Sequence, residues 1–231
     1  MHFQITMNET YFFIHILVVL LCTFGALKIG KSSLIAWICI QGLLANLFVL
    51  KQMECFSLTI TCSDVYAVSG ILSLNLLQEY FGVGTAKKTA LTCFYFMAIF
   101  AVMAKIHLLY NPSIHDHMHT SYEAILCCAP RILFASLTSF WIVQQIDIRL
   151  FGWIKRRWPD SPLVIRSTSS LIATQLLDTL LFSFLGLYGV VESLFAIILV
   201  SSMIKVLIIL SSIPLLGFYK KIFPHPIERA S

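Results

Sequence analysis

Long apolar stretches recur along this 231-residue sequence and leave little room for a water-soluble domain. An α-helix needs about 20 residues to cross the hydrocarbon core of a bilayer. Seven runs of suitable length are predicted, near residues 11–27, 32–50, 56–81, 89–110, 122–147, 167–189 and 193–216. The chain is 58% hydrophobic and only 12% charged, which a single soluble core does not explain. We therefore expect one all-α domain over residues 1–231, a polytopic transmembrane helical bundle of about seven spans.

Positive charges are distributed unevenly between the connections of these runs. Of the 16 Lys and Arg residues, Lys105, Arg131 and Lys205 lie within predicted spans, and Lys51 alone lies on one set of alternating connections. The other set carries Lys28, Lys31, Lys87, Lys88, Arg149, Lys155, Arg156, Arg157, Arg166, Lys220, Lys221 and Arg229. Because cytoplasmic connections carry the excess, the N-terminus is predicted outside and the C-terminus in the cytoplasm. Residues 1–10 have no Lys or Arg and no cleavage pattern follows, so the first run is predicted to be retained.

A near match to a nucleotide-binding loop lies between the third and fourth runs. Gly82 is followed by four residues and then by Lys87, Lys88 and Thr89, but the motif requires a second glycine where Lys87 stands. A phosphate needs the space that this side chain fills, and no soluble strand precedes the segment. We expect a cytoplasmic turn over 82–89 whose lysines contact anionic lipid headgroups and fix the topology.

Cysteine and histidine patterns give weak indications of metal chemistry. None of the seven Cys belongs to a Cys-x-x-Cys pair, so neither a disulfide framework nor a zinc cluster is predicted. His115, His117 and His119, together with Asp116, would suit Zn or Cu if the segment were extended. A solvated loop is the favoured interpretation because no second ligand group of matching spacing occurs, and no metal or cofactor is predicted.

Polar residues inside the runs are the informative ones, since an ionisable group at the centre of a membrane helix costs at least about 2.5 kcal/mol. In the third run Asp64, Asn75 and Glu79 fall on one helical face. The serines of this run are expected to form hydrogen bonds between helices. For Asn75 and Glu79 we favour a functional role, because an acid at this depth has few structural explanations.

The sixth run offers the best small-molecule site. Thr174 and Gln175 lie four and three residues before Asp178, so one face presents an amide beside a carboxylate. An Asp accepts two N–H donors and a Gln both donates and accepts, which suits the edge of a planar heterocycle. The alternative is a salt bridge from Asp178 to Lys205 in the seventh run. The two interpretations coexist if substrate competes for one partner.

The fifth run carries Arg131 toward its outer end and Gln144 and Asp147 near its predicted cytoplasmic end. Two interpretations of Arg131 stand equally: an ion pair with a carboxylate such as Glu79 or Asp178, or a guanidinium that reaches the membrane interface. No hydrolase or zinc-protease signature occurs. An enzyme would have to be built from the spans alone.

Four segments in order make the sequence recognisable: NLLQEYFGVGTAKKTA, PRILFASLTSFWIVQQIDIRLFGWIK, IRSTSSLIATQLLDTLLFSFLGLYG and MIKVLIILSSIPLLGFYKK. Together they resemble the queuosine precursor transporter family, a vitamin-uptake-transporter-like group of bacterial membrane proteins, from about residue 56 to 221. The pattern Arg-x-x-x-Ser followed by Gln-x-x-Asp-Thr-x-x-Phe at 166–182 is its more specific part. The resemblance implies a helical bundle similar to the substrate-binding components of energy-coupling-factor transporters, in the bacterial inner membrane.

The resemblance also implies import of 7-deazaguanine bases, namely 7-cyano-7-deazaguanine, 7-aminomethyl-7-deazaguanine or queuine, for the queuosine of tRNA. Candidate substrate-binding residues are Asn75, Glu79, Arg131, Gln144, Gln175, Asp178 and Lys205. Phe81, Phe182 or Trp141 would stack on the ring. The family usually has Asp where this chain has Asn75, so a cationic aminomethyl group would lose an attractive charge.

Alternating access around a mid-membrane site between the third, fifth, sixth and seventh runs is the expected mechanism. One rival is a transporter or substrate-binding subunit for another planar, vitamin-like metabolite. A less favoured rival is an intramembrane enzyme with Asp178 and Glu79 as acid and base, so the chain is predicted not to be an enzyme. No direct nucleic-acid contact is expected. The sequence leaves open which base is carried, the energy source, and a homo-oligomeric or energising partner.

Overall fold

The fold is taken from a computed structural model, which describes residues 7–49, 51–61, 63–126, 130–189 and 194–222. Strands β1 (Gln52–Cys55) and β2 (Leu58–Thr61) pair in an antiparallel hairpin. The helices of these ranges are α1 (Met7–Ile29), α2 (Lys31–Phe48), α3 (Ser63–Phe81), α4 (Val83–Leu108), α5 (His119–Leu126), α6 (Pro130–Arg157), α7 (Leu163–Phe182) and α8 (Leu194–Ile222). The predicted all-α class is confirmed, with the hairpin as a small addition between α2 and α3.

Five helices are long and apolar enough to cross a membrane: α1, α2, α4, α8, and α7 with its π-helical continuation Ser183–Leu187. Helices α5 and α6, which are bent by 48° relative to each other, make a sixth candidate. The described chain is therefore a polytopic helical membrane protein. The remaining long helix, α3, has 19 residues but is too polar to meet the same criteria.

Helix α3 occupies the centre of the bundle and packs against α1, α2, α4, α6, α7 and α8. Thirteen of its 19 residues are buried, polar ones included. Gln41 Nε2 donates to Ser69 Oγ at 2.8 Å, and Ser73 Oγ donates to Gln41 Oε1 at 3.2 Å. The prediction that serines of this helix bond across to other helices is confirmed for Ser69 and Ser73, because protein surrounds them in place of lipid.

Two ends of the bundle can be distinguished. The hairpin end contains the β1–β2 hairpin, the start of α6 and the π-helical turn of α7. The basic end contains the last turn of α6, with Lys155, Arg156 and Arg157.

The third predicted span begins later than the sequence indicated. Residues 56–61 form the turn and second strand of the hairpin, and the helix starts at Ser63. Along this strand Ile60 is buried and Thr59 is exposed, an alternation that suits a ribbon covered on one face. Hydropathy correctly marked this segment as apolar, but the β-branched residues at its start favour an extended chain over a helix.

The turn predicted over 82–89 is confined to one residue. Gly82 adopts a φ of 89°, a conformation that glycine reaches without steric cost, and α4 begins at Val83. Lys87 and Lys88 therefore lie on the first turns of a helix. A helix at this position leaves no loop of backbone N–H groups to surround a phosphate.

The fifth predicted span is displaced toward the basic end. Helix α6 continues to Arg157, so Gln144 and Asp147 lie near its middle and not near its cytoplasmic end. The predicted span ended too early, because the basic residues that follow the apolar run belong to the last turns of the same helix. Arg229, one of the positive charges used for orientation, and residue 193, the predicted start of the last span, lie outside the described residues.

Candidate functional site

A cavity of about 580 Å³ lies toward the hairpin end, between α2, α3, α6, α7, α8 and the hairpin. Its volume falls within the roughly 300–1,000 Å³ of ordinary small-molecule sites. The wall is mainly apolar, and the amide and charged side chains that the helices contribute are Gln41, Asn46, Asp64, Gln144, Gln175, Asp178 and Lys205. Four of the seven predicted site residues therefore line one cavity: Gln144, Gln175, Asp178 and Lys205.

Lys205 on α8 is the centre of a charged group on this wall. Its Nζ lies 2.6 Å from Asp178 Oδ2 and 3.8 Å from Asp64 Oδ1. The Lys205 side chain is 5% exposed, whereas that of Asp178 is 22% exposed. Two carboxylates offset the cost of burying the ammonium. The predicted alternative of a Lys205–Asp178 salt bridge is confirmed, and Asp178 still has an accessible part on the cavity wall.

Two amides reach the same cavity from α6 and α7. Gln175 Nε2 donates to Ala67 O at 3.3 Å, which orients the amide. The Oε1 atoms of Gln175 and Gln144 are buried and have no hydrogen-bond partner within the described part of the chain, and the same holds for Ser139 Oγ. Buried polar atoms are normally hydrogen-bonded. Because these oxygens have no accessible surface in this conformation, a ligand in the cavity would reach them only after the side chains rotate.

Aromatic rings lie beside these polar groups. Phe140 and Phe182 line the cavity, and Phe182 is one of the three rings expected to stack on a substrate. The other two are placed elsewhere: Trp141 packs against Phe94 with ring centroids 5.2 Å apart, and Phe81 ends α3 toward the basic end. Stacking can therefore involve Phe182 but not its two alternatives in this conformation.

Glu79 lies at the basic end, away from the cavity. Its carboxylate oxygens are 2.7 Å from Arg166 Nη2 and 2.8 Å from Lys155 Nζ. Because these residues belong to α3, α7 and α6, one carboxylate joins three helices. We call Glu79, Arg166 and Lys155 the basic-end cluster. The structure thus separates Glu79 from the cavity residues with which the sequence grouped it.

Asn75 is fully buried beside Asp147 and does not line the cavity. Asp147 lies three residues after Gln144 on α6, so this pair is about one helical turn beyond the cavity wall, toward the basic end. A direct contact between Asn75 and a bound base stays a prediction.

Arg131 forms neither of the ion pairs offered for it. The residue is exposed at the hairpin end, where its Nε donates to Leu185 O at 2.9 Å and its Nη2 to Tyr188 O at 2.7 Å. Glu79 lies at the opposite end, and Asp178 is already paired. The guanidinium instead satisfies carbonyl groups left open where the α7 helix ends. Its exposure fits the second interpretation, a position near the membrane interface.

In the histidine loop, the Asp116 carboxylate binds backbone N–H groups. Asp116 Oδ1 accepts the N–H groups of Met118 at 2.8 Å and His119 at 3.1 Å, which caps the start of α5. Across the described ranges, no group of three or more His, Cys, Asp or Glu side chains could hold a metal ion.

Two buried residues were not selected from the sequence. Arg166 was counted as a connection charge, but it lies in α7, is 4% exposed and binds Glu79. Its position at the start of the 166–182 pattern was the available signal. Asp147 was assigned to a helix end, although an acid in the middle of a long helix would have indicated a special environment.

These helices, with a mainly apolar cavity that carries a few amides and charges on its wall, define a polytopic membrane protein with an internal small-molecule pocket. Comparison with known proteins places it more closely. The family described as "Putative vitamin uptake transporter" matches residues 61–219, more than half of the sequence, and the chain belongs to that family. The resemblance noted from the sequence is thereby confirmed.

A curated relative extends this result over nearly the whole chain. The "Probable queuosine precursor transporter" of Bacillus subtilis (strain 168) is 31% identical over 222 residues, which cover 94% of this chain and 95% of that protein. No solved structure matches the chain.

Proposed function

We propose that this chain imports queuosine precursors, the 7-deazaguanine bases 7-cyano-7-deazaguanine, 7-aminomethyl-7-deazaguanine or queuine, across the bacterial inner membrane. Family membership and the Bacillus subtilis relative support the transporter class. One observation carries the choice of a planar base: Gln144, Gln175 and Asp178 meet on the wall of a single cavity beside Phe140 and Phe182.

The chemistry of a deazaguanine matches this arrangement. Its pyrimidine edge presents N–H donors beside a carbonyl acceptor. The Asp178 carboxylate accepts such donors, while the amides of Gln144 and Gln175 both donate and accept. Apolar and aromatic side chains on the wall cover the ring faces. A base bound at Asp178 competes with Lys205, which keeps Asp64 as its second carboxylate.

Seven crossings, with α3 as the seventh, are part of the proposal. The six helices around α3 remove the need for an apolar, lipid-facing surface, so its polarity is compatible with a span. By the positive-inside rule the basic end, with Lys155, Arg156 and Arg157, faces the cytoplasm, and the hairpin end faces outside.

Alternating access is part of the proposal, and the placement of the cavity and the basic-end cluster supports it. The cavity adjoins the hairpin end, whereas Glu79 holds α3, α6 and α7 together at the other end. We assign this conformation to the outward-facing state. Release into the cytoplasm then requires separation of Glu79 from Arg166 and Lys155.

The proposal is tested in bacteria that cannot make queuosine precursors. The cells express the chain, receive each deazaguanine in turn, and are assayed for base uptake and for queuosine in tRNA. The wild-type chain is expected to restore queuosine with at least one base. Asp178→Asn should abolish this while remaining in the membrane. Asp160→Asn, in an exposed connection, is the matched control and should behave as wild type.

Another planar, vitamin-like metabolite is the second candidate, because the family is described by vitamin uptake. Competition by unlabelled bases and vitamins for uptake of a labelled deazaguanine separates the two. The enzyme alternative lacks geometric support: Asp178 is twelve residues, about 18 Å along α7, from Arg166, to which Glu79 is bound. The two carboxyl groups therefore do not form an acid–base pair.

A further inference from the structure

Asp147, near the middle of α6, has no counter-ion within the described residues. It is completely buried, and its Oδ1 accepts hydrogen bonds from Ser170 Oγ at 2.5 Å and Thr174 Oγ1 at 3.2 Å. Its Oδ2 makes no hydrogen bond of ordinary geometry in the same ranges, although the Asn75 amide lies close enough to act on the carboxyl. By contrast, three other acids of these helices each form an ion pair with Lys or Arg: Asp64, Glu79 and Asp178.

Uncharged groups face this carboxyl from the helices on both sides. Asn75 of α3 lies beside it, and Ser170 and Thr174 of α7 donate to it. The charged residues that follow toward the basic end, Glu79 on α3 and Arg166 on α7, are about one turn away from these groups and bind each other. Neither supplies a charge to the Asp147 carboxyl.

The remaining elements packed against α6 bring no ionisable group to this position. The π-helical turn has the sequence SFLGL. None of the titratable residues of α4 acts on the carboxyl: Lys87, Lys88, Cys93, Tyr95, Lys105 and His107. Asp64 on α3 and Asp178 on α7 are paired with Lys205. The tyrosines of α3 do not act on the Asp147 carboxyl either. On α6 itself Arg149 is exposed at the surface of the bundle.

A carboxylate withdrawn from water without a counter-ion is unstable in its charged form and takes up a proton. Asn75 is suited to both states of such a group. Its two amide atoms are buried and make no hydrogen bond of ordinary geometry. The amide oxygen can accept from a protonated Asp147, and the amide nitrogen can donate to the ionised form after a rotation of the amide. The site therefore tolerates gain and loss of one proton.

Asp147 also lies between the substrate cavity and the basic end. Gln144, one turn earlier on α6, and Gln175, which follows Thr174 on α7, both line the cavity. The basic-end cluster begins at Arg166, one turn before Ser170. A change in the charge of Asp147 is thus placed to act on both the cavity wall and the helices that close the basic end.

We propose that Asp147 is a proton-binding site that couples import to the proton gradient, one proton entering with each base; this inference rests on the proposed function. In the outward-facing state a proton from external water adds to the carboxylate of Asp147. In the inward-facing state the same O–H bond breaks, and the proton leaves to cytoplasmic water while the carboxylate is restored. The base is not chemically changed.

Purified chain in liposomes, with a pH-sensitive dye inside, tests the coupling. Base addition should acidify the interior, and with one proton per base an inward gradient of about one pH unit should support about tenfold accumulation. Asp147→Asn should abolish both effects yet retain exchange of labelled for unlabelled base, which needs no net proton movement. Asp160→Asn is the matched control. Accumulation by Asp147→Asn equal to wild type, or wild-type accumulation driven by Na⁺ and insensitive to the pH gradient, would overturn the proposal.

A second variant decides the matter if Asp147→Asn fails to fold. Ser170→Ala removes a hydroxyl that stabilises the charged carboxylate, so protonation should persist to higher pH. The external pH for half-maximal accumulation should rise by about one unit. Ser211→Ala is the control, since that hydroxyl donates only to its own helix at Leu207 O. An unchanged pH profile in Ser170→Ala would overturn the proposal, whereas absence of both exchange and uptake in wild type would instead refute the proposed function.

Discussion

Lys205 Nζ is 2.6 Å from Asp178 Oδ2 and 3.8 Å from Asp64 Oδ1, so one ammonium serves two carboxylates from different helices. Removal of this cation leaves both acids without a counter-ion. Removal of the Asp178 charge, in contrast, leaves Lys205 paired with Asp64. The two substitutions are therefore unequal, although they break the same salt bridge.

Lys205→Met is expected to lower the free energy of unfolding by about 3–5 kcal/mol, because it strands buried charges. Asp178→Asn should cost clearly less. Combining the two should recover part of the loss, since a single carboxylate then remains. Thermal unfolding of the purified proteins in detergent measures all three. Equal unfolding temperatures for the two single variants would contradict the charged group described above.

Glu79→Gln is expected to release the closure at the basic end. The substitution removes the carboxylate that holds Arg166 and Lys155, and a change of about 1.4 kcal/mol alters the ratio of two conformations tenfold. Base preloaded into cells should leave faster, and net accumulation should fall. Glu123→Gln, at an exposed position on α5, controls for the chemical change. Unaltered efflux would argue against a gate at Glu79.

Gln175→Leu is expected to weaken substrate binding without loss of the protein. The leucine has a similar size but cannot hydrogen-bond, and one lost bond of about 1–2 kcal/mol raises the apparent KM for the base roughly 5- to 30-fold. The maximal uptake rate should change less. Concentration-dependent uptake in cells with matched protein levels gives both values. An unchanged KM would remove Gln175 from the binding site.

The hairpin turn allows a stabilising prediction. Phe56 and Ser57 have φ values of 55° and 60°, in the left-handed region that favours glycine. Ser57 is exposed, so Ser57→Gly should raise the free energy of unfolding by about 0.5–1 kcal/mol. Phe56→Gly should not raise it, because the ring centroids of Phe56 and Phe12 lie 6.0 Å apart and this packing contact would be lost. Thermal unfolding separates the two; destabilisation by Ser57→Gly would contradict the turn geometry.

Helical periodicity predicted the faces of helices better than their partners. Gln175 and Asp178 were expected on one face of α7, and both line the cavity. Lys205 is paired with Asp178, as one of the two interpretations of Asp178 required. The spacing within a single helix fixes this kind of relationship. Likewise, hydropathy was sufficient for most of the membrane helices.

Depth along the bundle and contacts between distant segments could not be obtained in the same way. Asn75 and Glu79 share a face of α3, yet one lies beside Asp147 and the other at the basic end with Arg166, 87 residues away in sequence. A single sequence does not show which neighbouring helix each face of a helix packs against. The hairpin was missed because its apolar residues continue the hydrophobic pattern into α3.

The most direct test of the central claim is queuosine in the tRNA of precursor-deficient bacteria that express the wild-type chain, Asp178→Asn or Asp160→Asn at equal membrane levels. We predict queuosine with the wild type and with Asp160→Asn for at least one supplied deazaguanine, and none with Asp178→Asn. Full restoration by Asp178→Asn would show that the cavity at Asp178 does not recognise the transported base.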